Sequence, residues 1–111
     1  MLVALVVRVA WVAYVGHHAP ASLYDPARYI GYAHEIARGK GYTEPFTGQA
    51  TSYYPPGYPW FVGVLAWVQD HGPFGSFLPL FVGYVQAVLG AATAGLAGVV
   101  GRRLVSARTG I

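Results

Sequence analysis

Four carboxylates, four histidines and seven basic residues are the charged and titratable repertoire of this 111-residue chain besides tyrosine. None of its residues is cysteine, which excludes disulfides, thiolate metal sites and cysteine nucleophiles. Among the carboxylates, Asp25 stands out by position, a short way beyond an apolar run ending at Gly16 and directly before Pro26. A carboxylate held there can take the proton of an attacking hydroxyl. Asp-Pro is equally an ordinary helix opening, with Asp as cap and Pro at the first helical position. Arg8 is the one charge inside residues 1–16. A charge within an apolar span is a functional site by default. Arg8 either holds a lipid phosphate or an acid on another helix, or it snorkels to the interface.

The remaining titratable groups form no recognisable soluble-enzyme motif. His34-Glu35 lacks the second histidine of a zinc helix, because position 38 is Arg, and Gly39-Lys40-Gly41 lacks the spacing of a phosphate loop. His34 and Glu35 are expected on a solvated helix face, and His17 and His18 at a membrane boundary. The bases are too few and too scattered for a nucleic-acid surface, so no nucleic-acid partner is expected.

The elements that position these residues are set by hydrophobicity. The chain is 55% hydrophobic and 10% charged, whereas a soluble domain carries about a quarter charged residues. Residues 1–16 form roughly 24 Å of helix and residues 77–101 about 37 Å, against a hydrocarbon core of about 30 Å. A signal peptide ending at Ala19-Pro20-Ala21 is the rival reading of the first run; Pro20 and Arg8 fit it poorly. In the second run Gly90, Ala94 and Gly98 recur at four-residue spacing, predicting a face that admits close helix approach, and Gln86 calls for a partner on a neighbouring helix. Residues 58–69 are apolar but too short to span, with Trp60 and Trp67 on one helical face, as suits a helix lying on the membrane surface.

Charge then sets orientation. Residues 102–111 hold Arg102, Arg103 and Arg108 without an acid, while residues 17–76 hold Arg28, Arg38 and Lys40 against Asp25, Glu35, Glu44 and Asp70. The basic tail belongs in the cytoplasm. The predicted fold is therefore an all-α membrane protein. Transmembrane helices over 1–16 and 77–101 are joined by an extracytoplasmic loop, 17–76, and both termini are cytoplasmic. The loop carries juxtamembrane helices at about 26–38 and 58–69. The first has Asp25 as cap, Gly39 as exit, and Tyr29, Ala33 and Ile36 or Ala37 on one face. Between the two, Tyr53-Tyr54-Pro55-Pro56-Gly57-Tyr58-Pro59 is an extended, stiff, aromatic turn suited to walling a substrate groove. Tyr29 and Tyr54 are candidate substrate-binding residues, and equally packing residues of that wall.

The order Asp25, Tyr29, Ala33, Ala37-Arg38-Gly39-x-Gly41-Tyr42, Thr51, Pro55-Pro56-Gly57-Tyr58-Pro59 and Phe74-Gly75 covers the loop. Val85-Gln86-Ala87-Val88-Leu89-Gly90-Ala91 and Gly101-Arg102-Arg103-Leu104 follow it. Together with Arg8, this pattern resembles the amino-terminal module of GT-C membrane glycosyltransferases. The closest group is family-39-like and polyprenyl-phosphate-sugar-dependent, with protein O-mannosyltransferases and the aminoarabinose transferase as relatives. The resemblance implies transfer of a sugar from a polyprenyl-phosphate carrier to an extracytoplasmic acceptor at the plasma (inner) membrane, with Asp25 as catalytic base and Arg8, Tyr29 and Tyr54 as substrate-binding candidates. Many members carry a second acid directly after this Asp; here Pro26 stands instead, and a divalent cation is left open with no cofactor otherwise implied. Recognised members are several times longer. The chain is thus expected to be an amino-terminal fragment, inactive by itself, whose partners are the lipid bilayer, the lipid-linked sugar and further transmembrane helices of the same enzyme or a partner. The alternative is a small two-span membrane protein with an interaction or assembly role and no catalysis.

Overall fold

Proline and glycine punctuate the chain. Prolines sit in the first turns of three helices (Pro26, Pro59 and Pro79), where a backbone N–H would have no intrahelical acceptor. The computed structural model describes residues 1–18, 24–75 and 77–104, and the described residues form four α-helices and no strand. These are α1 (Leu2–His18), α2 (Tyr24–Ala37), α3 (Gly57–His71) and α4 (Leu78–Leu104). Every predicted helix is present, with bounds shifted by one to three residues. At the end of α4 the shift matters, because Arg102 and Arg103 form part of its last turn, not of an irregular tail. The rest of that tail, and Ala19-Pro20-Ala21, lie outside the described residues. Of the four, α4 is long and apolar enough to cross a bilayer; the apolar part of α1, Leu2–Gly16, is shorter.

The chain divides into two compact units, Met1–Ala19 with Gly83–Ile111, and Pro20–Val82. In the first, α1 and α4 run antiparallel. A Cβ placed on Gly83 would meet Val12, one on Gly90 would meet Arg8, and one on Gly95 would meet Met1, each within about 3 Å. Ala87 and Ala91 are buried between these points. The close-approach face predicted at 90, 94 and 98 is therefore real at Gly90 but runs along 83, 87, 90–91 and 95, leaving Ala94 exposed. The difference is one of phase: 83, 87, 91 and 95 keep the four-residue step but lie one residue off the predicted row, which they meet at the adjacent Gly90. Away from the contact, Val6, Val7, Trp11, Val88, Leu89 and Leu96 are exposed, an apolar exterior that suits lipid.

In the second unit α3 lies across α2. Ala33, Val62 and Ala66 form the centre with Leu78 and Val82, the first turns of α4, while Ile30, Phe61, Leu65 and Phe81 pack around them. The crossing is made at Gly63, where an added Cβ would lie 2.7 Å from Cγ2 and 2.9 Å from Cβ of Ile36. Gln69, buried on α3, donates from Nε2 to the carbonyl of Gly75 at 2.8 Å and ties the α3–α4 link to the helix.

Because the Cβ of Ile36 cannot swing away, Gly63→Ala must separate α2 from α3. The expected cost is about 1–3 kcal/mol, read as a lower midpoint in thermal unfolding followed by helical circular dichroism in detergent. An unchanged midpoint would show that the crossing is not tightly packed.

Candidate functional site

Residues 25, 28, 29 and 32 fall at i, i+3, i+4 and i+7 of α2, so Asp25, Arg28, Tyr29 and Tyr32 occupy one helical row. The helix starts at Tyr24, which puts Asp25 inside the first turn and not at the cap position predicted for it. The Asp25 side chain lies outside the described residues, as do those of His17 and His18.

The far end of α2 is closed by a Schellman motif. The Lys40 N–H donates to Glu35 O at 3.0 Å and the Gly39 N–H to Ile36 O at 2.9 Å, with Gly39 at φ +79°. Ion pairs fasten the same turn: Lys40 Nζ is 2.9 Å from Glu35 Oε2, and Arg38 Nη1 is 3.2 Å from Oε1. Glu35 is buried, in contrast to the solvated face predicted for it, because these two cations cover its carboxylate. The Lys40 hydrogen bond first, and then the charges of Lys40 and Arg38, hold that carboxyl below the usual carboxylate range.

The chain then folds back over the row as a short hairpin. Thr43 and Ala50 form an antiparallel bridge, and the Glu44 N–H donates to Gln49 O at 2.8 Å. Gly31 leaves room for the ring of Pro45, whose Cγ would sit 2.8 Å from a Cβ at that position. This docking brings Glu44 onto the row: Tyr32 donates its hydroxyl to Glu44 Oε2 at 2.6 Å, and Arg28 Nη1 lies 3.7 Å from Oε1. Tyr32 is fully buried. Burial first, then the bond to Glu44, keep its hydroxyl protonated above the ordinary tyrosine range. The Tyr32 hydroxyl first and Glu44 second hold the Arg28 guanidinium more firmly in its charged form.

An aromatic bracket completes the surface. Tyr29 packs 5.2 Å from Tyr54 and, edge-on, 5.2 Å from Tyr58 at the start of α3. Tyr32 packs 5.0 Å from Tyr42, whose hydroxyl donates to Tyr54 O at 3.0 Å. Burial raises the Tyr42 hydroxyl as well. Thr43 Oγ1 is buried with no hydrogen-bond partner among the described residues. Of the two tyrosines singled out in the sequence, Tyr29 is thus on the Asp25 row and Tyr54 packs against it from the segment before α3, while Arg8 belongs to the other unit. Tyr32, Tyr42 and Glu44 were missed. Tyr32 had a readable signal, since it lies three residues after Tyr29 and seven after Asp25; Glu44 had none, because a hairpin fold-back alone brings it to α2. No group of three or more His, Asp or Glu converges among the described residues in a way that would cage a metal ion.

On the outer side of α3, Trp60, Val64 and Trp67 are each about half exposed or more, at 48%, 56% and 52%. The predicted Trp60–Trp67 face is therefore present, opposite the face that meets α2. Comparison with protein-family models, with curated proteins and with solved structures finds no match in any of the three.

Two measurements check this anatomy. Tyr32→Phe leaves the Glu44 carboxylate without its shortest donor and should cost about 1.5–3 kcal/mol of stability; a neutral result would mean the hairpin is held elsewhere. For Glu35 the folded pKa is depressed, so its contribution is complete above the unfolded carboxylate value and is lost as pH falls through the folded one. The stability gap between wild type and Glu35→Gln should close on acidification through that range, as followed by thermal unfolding at a series of pH values.

Proposed function

We propose that this chain supplies the base-bearing module of a membrane glycosyltransferase that moves a sugar from a polyprenyl-phosphate carrier to an acceptor outside the cytoplasm. The observation carrying this reading is the α2 row. Asp25 lies in the first turn of that helix, and farther along the row the tyrosine bracket is fixed by the hairpin and by α3. The apolar outer face of α3 supports it further, because a helix with two tryptophans on its exposed side is suited to the headgroup zone. A lipid-linked donor never leaves the bilayer, so its reacting carbon must be met at that depth.

In the proposed reaction the Asp25 carboxylate accepts the proton of the acceptor hydroxyl as the oxygen attacks the anomeric carbon. The bond from that carbon to the phosphate oxygen breaks, and the lipid phosphate leaves with the electron pair. The leaving phosphate is already stable as an anion and needs cationic or hydrogen-bonding groups, not an acid. We assign these to further transmembrane helices of the same enzyme or a partner. Tyr29 and Tyr54 are partly exposed aromatic side chains of a kind suited to packing on a sugar. In this reading α1 and α4 both cross the membrane, with cytoplasmic termini and the α2–α3 unit outside.

In membranes where the chain and its completing helices support transfer from a polyprenyl-phosphate sugar, Asp25→Asn should lower transfer by about 10²-fold or more while leaving insertion intact. Retained transfer would remove Asp25 as the base. Cysteines introduced at Thr47 and Ser106 should react with an impermeant maleimide from opposite faces of sealed vesicles; labelling from one face would overturn the two-span topology.

A further inference from the structure

Arg8 sits in an unusual place along the α1–α4 pair. Its side chain lies flat on α4 at Gly90, where an added Cβ would be 2.8 Å from Nε and 3.3 Å from Cδ. Gly90 is close to the middle of Leu78–Leu104, with about 18 Å of helix towards Leu78 and about 21 Å towards Leu104 at 1.5 Å per residue. Half of a hydrocarbon core of about 30 Å is about 15 Å, which exceeds the reach of an arginine side chain. If the apolar stretch of α4 is centred in the bilayer, the guanidinium is level with the middle of the hydrocarbon core, beyond direct reach of either headgroup layer.

The guanidinium is also short of partners. Among the described residues it has one hydrogen bond, from Nη1 to Ala4 O on its own helix at 3.2 Å, against five N–H donors available. Arg8 is exposed, and neither α1 nor α4 contains an acid. A second copy of the pair would bring a second Arg8 and repel. An uncompensated cation at this depth is costly, and such residues face a bundle interior and pair there.

We propose that Arg8, seated in the Gly90 notch, is the docking point for another transmembrane helix that carries an aspartate or glutamate at mid-membrane height. Gly90 acts as the positioning residue: without a side chain, it lets the guanidinium lie against α4 and turns its free N–H groups toward the incoming helix. This rests on the membrane-spanning reading of α4 and is independent of the proposed sugar transfer.

The test uses the full chain in phosphatidylcholine vesicles with synthetic leucine-rich transmembrane peptides, donor and acceptor fluorophores reporting association. A peptide with one central Glu should associate about ten-fold more tightly than an all-leucine peptide or one with Glu near its end. Arg8→Leu should abolish the difference, and Gly90→Leu should weaken it while leaving association of the all-leucine peptide unchanged. Replacing half of the lipid by phosphatidylglycerol should have no effect. Equal association of the central-Glu and all-leucine peptides would overturn the pairing, and competition by phosphatidylglycerol would show that lipid phosphate occupies Arg8 instead. Protease protection of α4, measured in the same vesicles, separates the two failures. An unprotected α4 sinks the spanning reading and the docking site with it, whereas a protected α4 without selectivity sinks the docking site alone.

Discussion

The second unit depends on a missing side chain. At Gly63 the backbone of α3 comes close enough to α2 that Ile36 and the carbonyl of Ala33 occupy the space a Cβ would take. This approach lets two short helices share a core made largely of Ala33, Val62 and Ala66, residues too small to hold widely spaced helices together. With α3 seated there, its opposite side is left to Trp60, Val64 and Trp67, and its start carries Tyr58 against Tyr29. The same economy recurs in the first unit, where Gly83, Gly90 and Gly95 let side chains of α1 lie directly on the backbone of α4. Where hydrophobicity offers little preference between helix and lipid, such packing is the main source of specificity.

Much of this was legible in the sequence because it is written locally. Hydrophobic run length located α1 and α4, Pro26 marked the first turn of α2 and Gly39 its exit, and the proline cluster placed the start of α3 within a residue. The shared face of Trp60 and Trp67 follows from seven-residue spacing alone. Glu35 and Glu44 were not legible, for a common reason. Each is satisfied by groups whose approach depends on a chain reversal: Lys40 through the Schellman turn, and Tyr32 through the hairpin. Spacing along a helix cannot reveal a partner that arrives by a fold-back. The α1–α4 contact row failed in a milder way: the four-residue step was right, but several rows of small residues run along α4 and the spacing alone does not say which one meets α1.

The polar groups of the second unit are arranged as two closed stations on α2. One, at its last turn, ties Glu35 to Arg38 and Lys40; the other, at mid-helix, ties Glu44 to Tyr32 and Arg28. Between them the helix presents Gly31 to Pro45 and Ala33 to α3. Each carboxylate thus fixes a direction of the chain as well as a local charge balance. The first fixes how the chain leaves α2, and the second fixes where it returns. A rigid tyrosine surface beside the first turn of α2 is the outcome.

The hairpin that makes this return is closed at its base by the Thr43–Ala50 bridge and the Glu44–Gln49 bond, and its apex projects Phe46, 85% exposed, beside a left-handed Gly48. Pro45 packs on Gly31 of α2, whereas Phe46 next to it is left exposed. The apex is consequently the position on this unit where an epitope tag, a fluorescent reporter or a crystallisation chaperone's binding loop can be spliced in with least disturbance to the fold beneath.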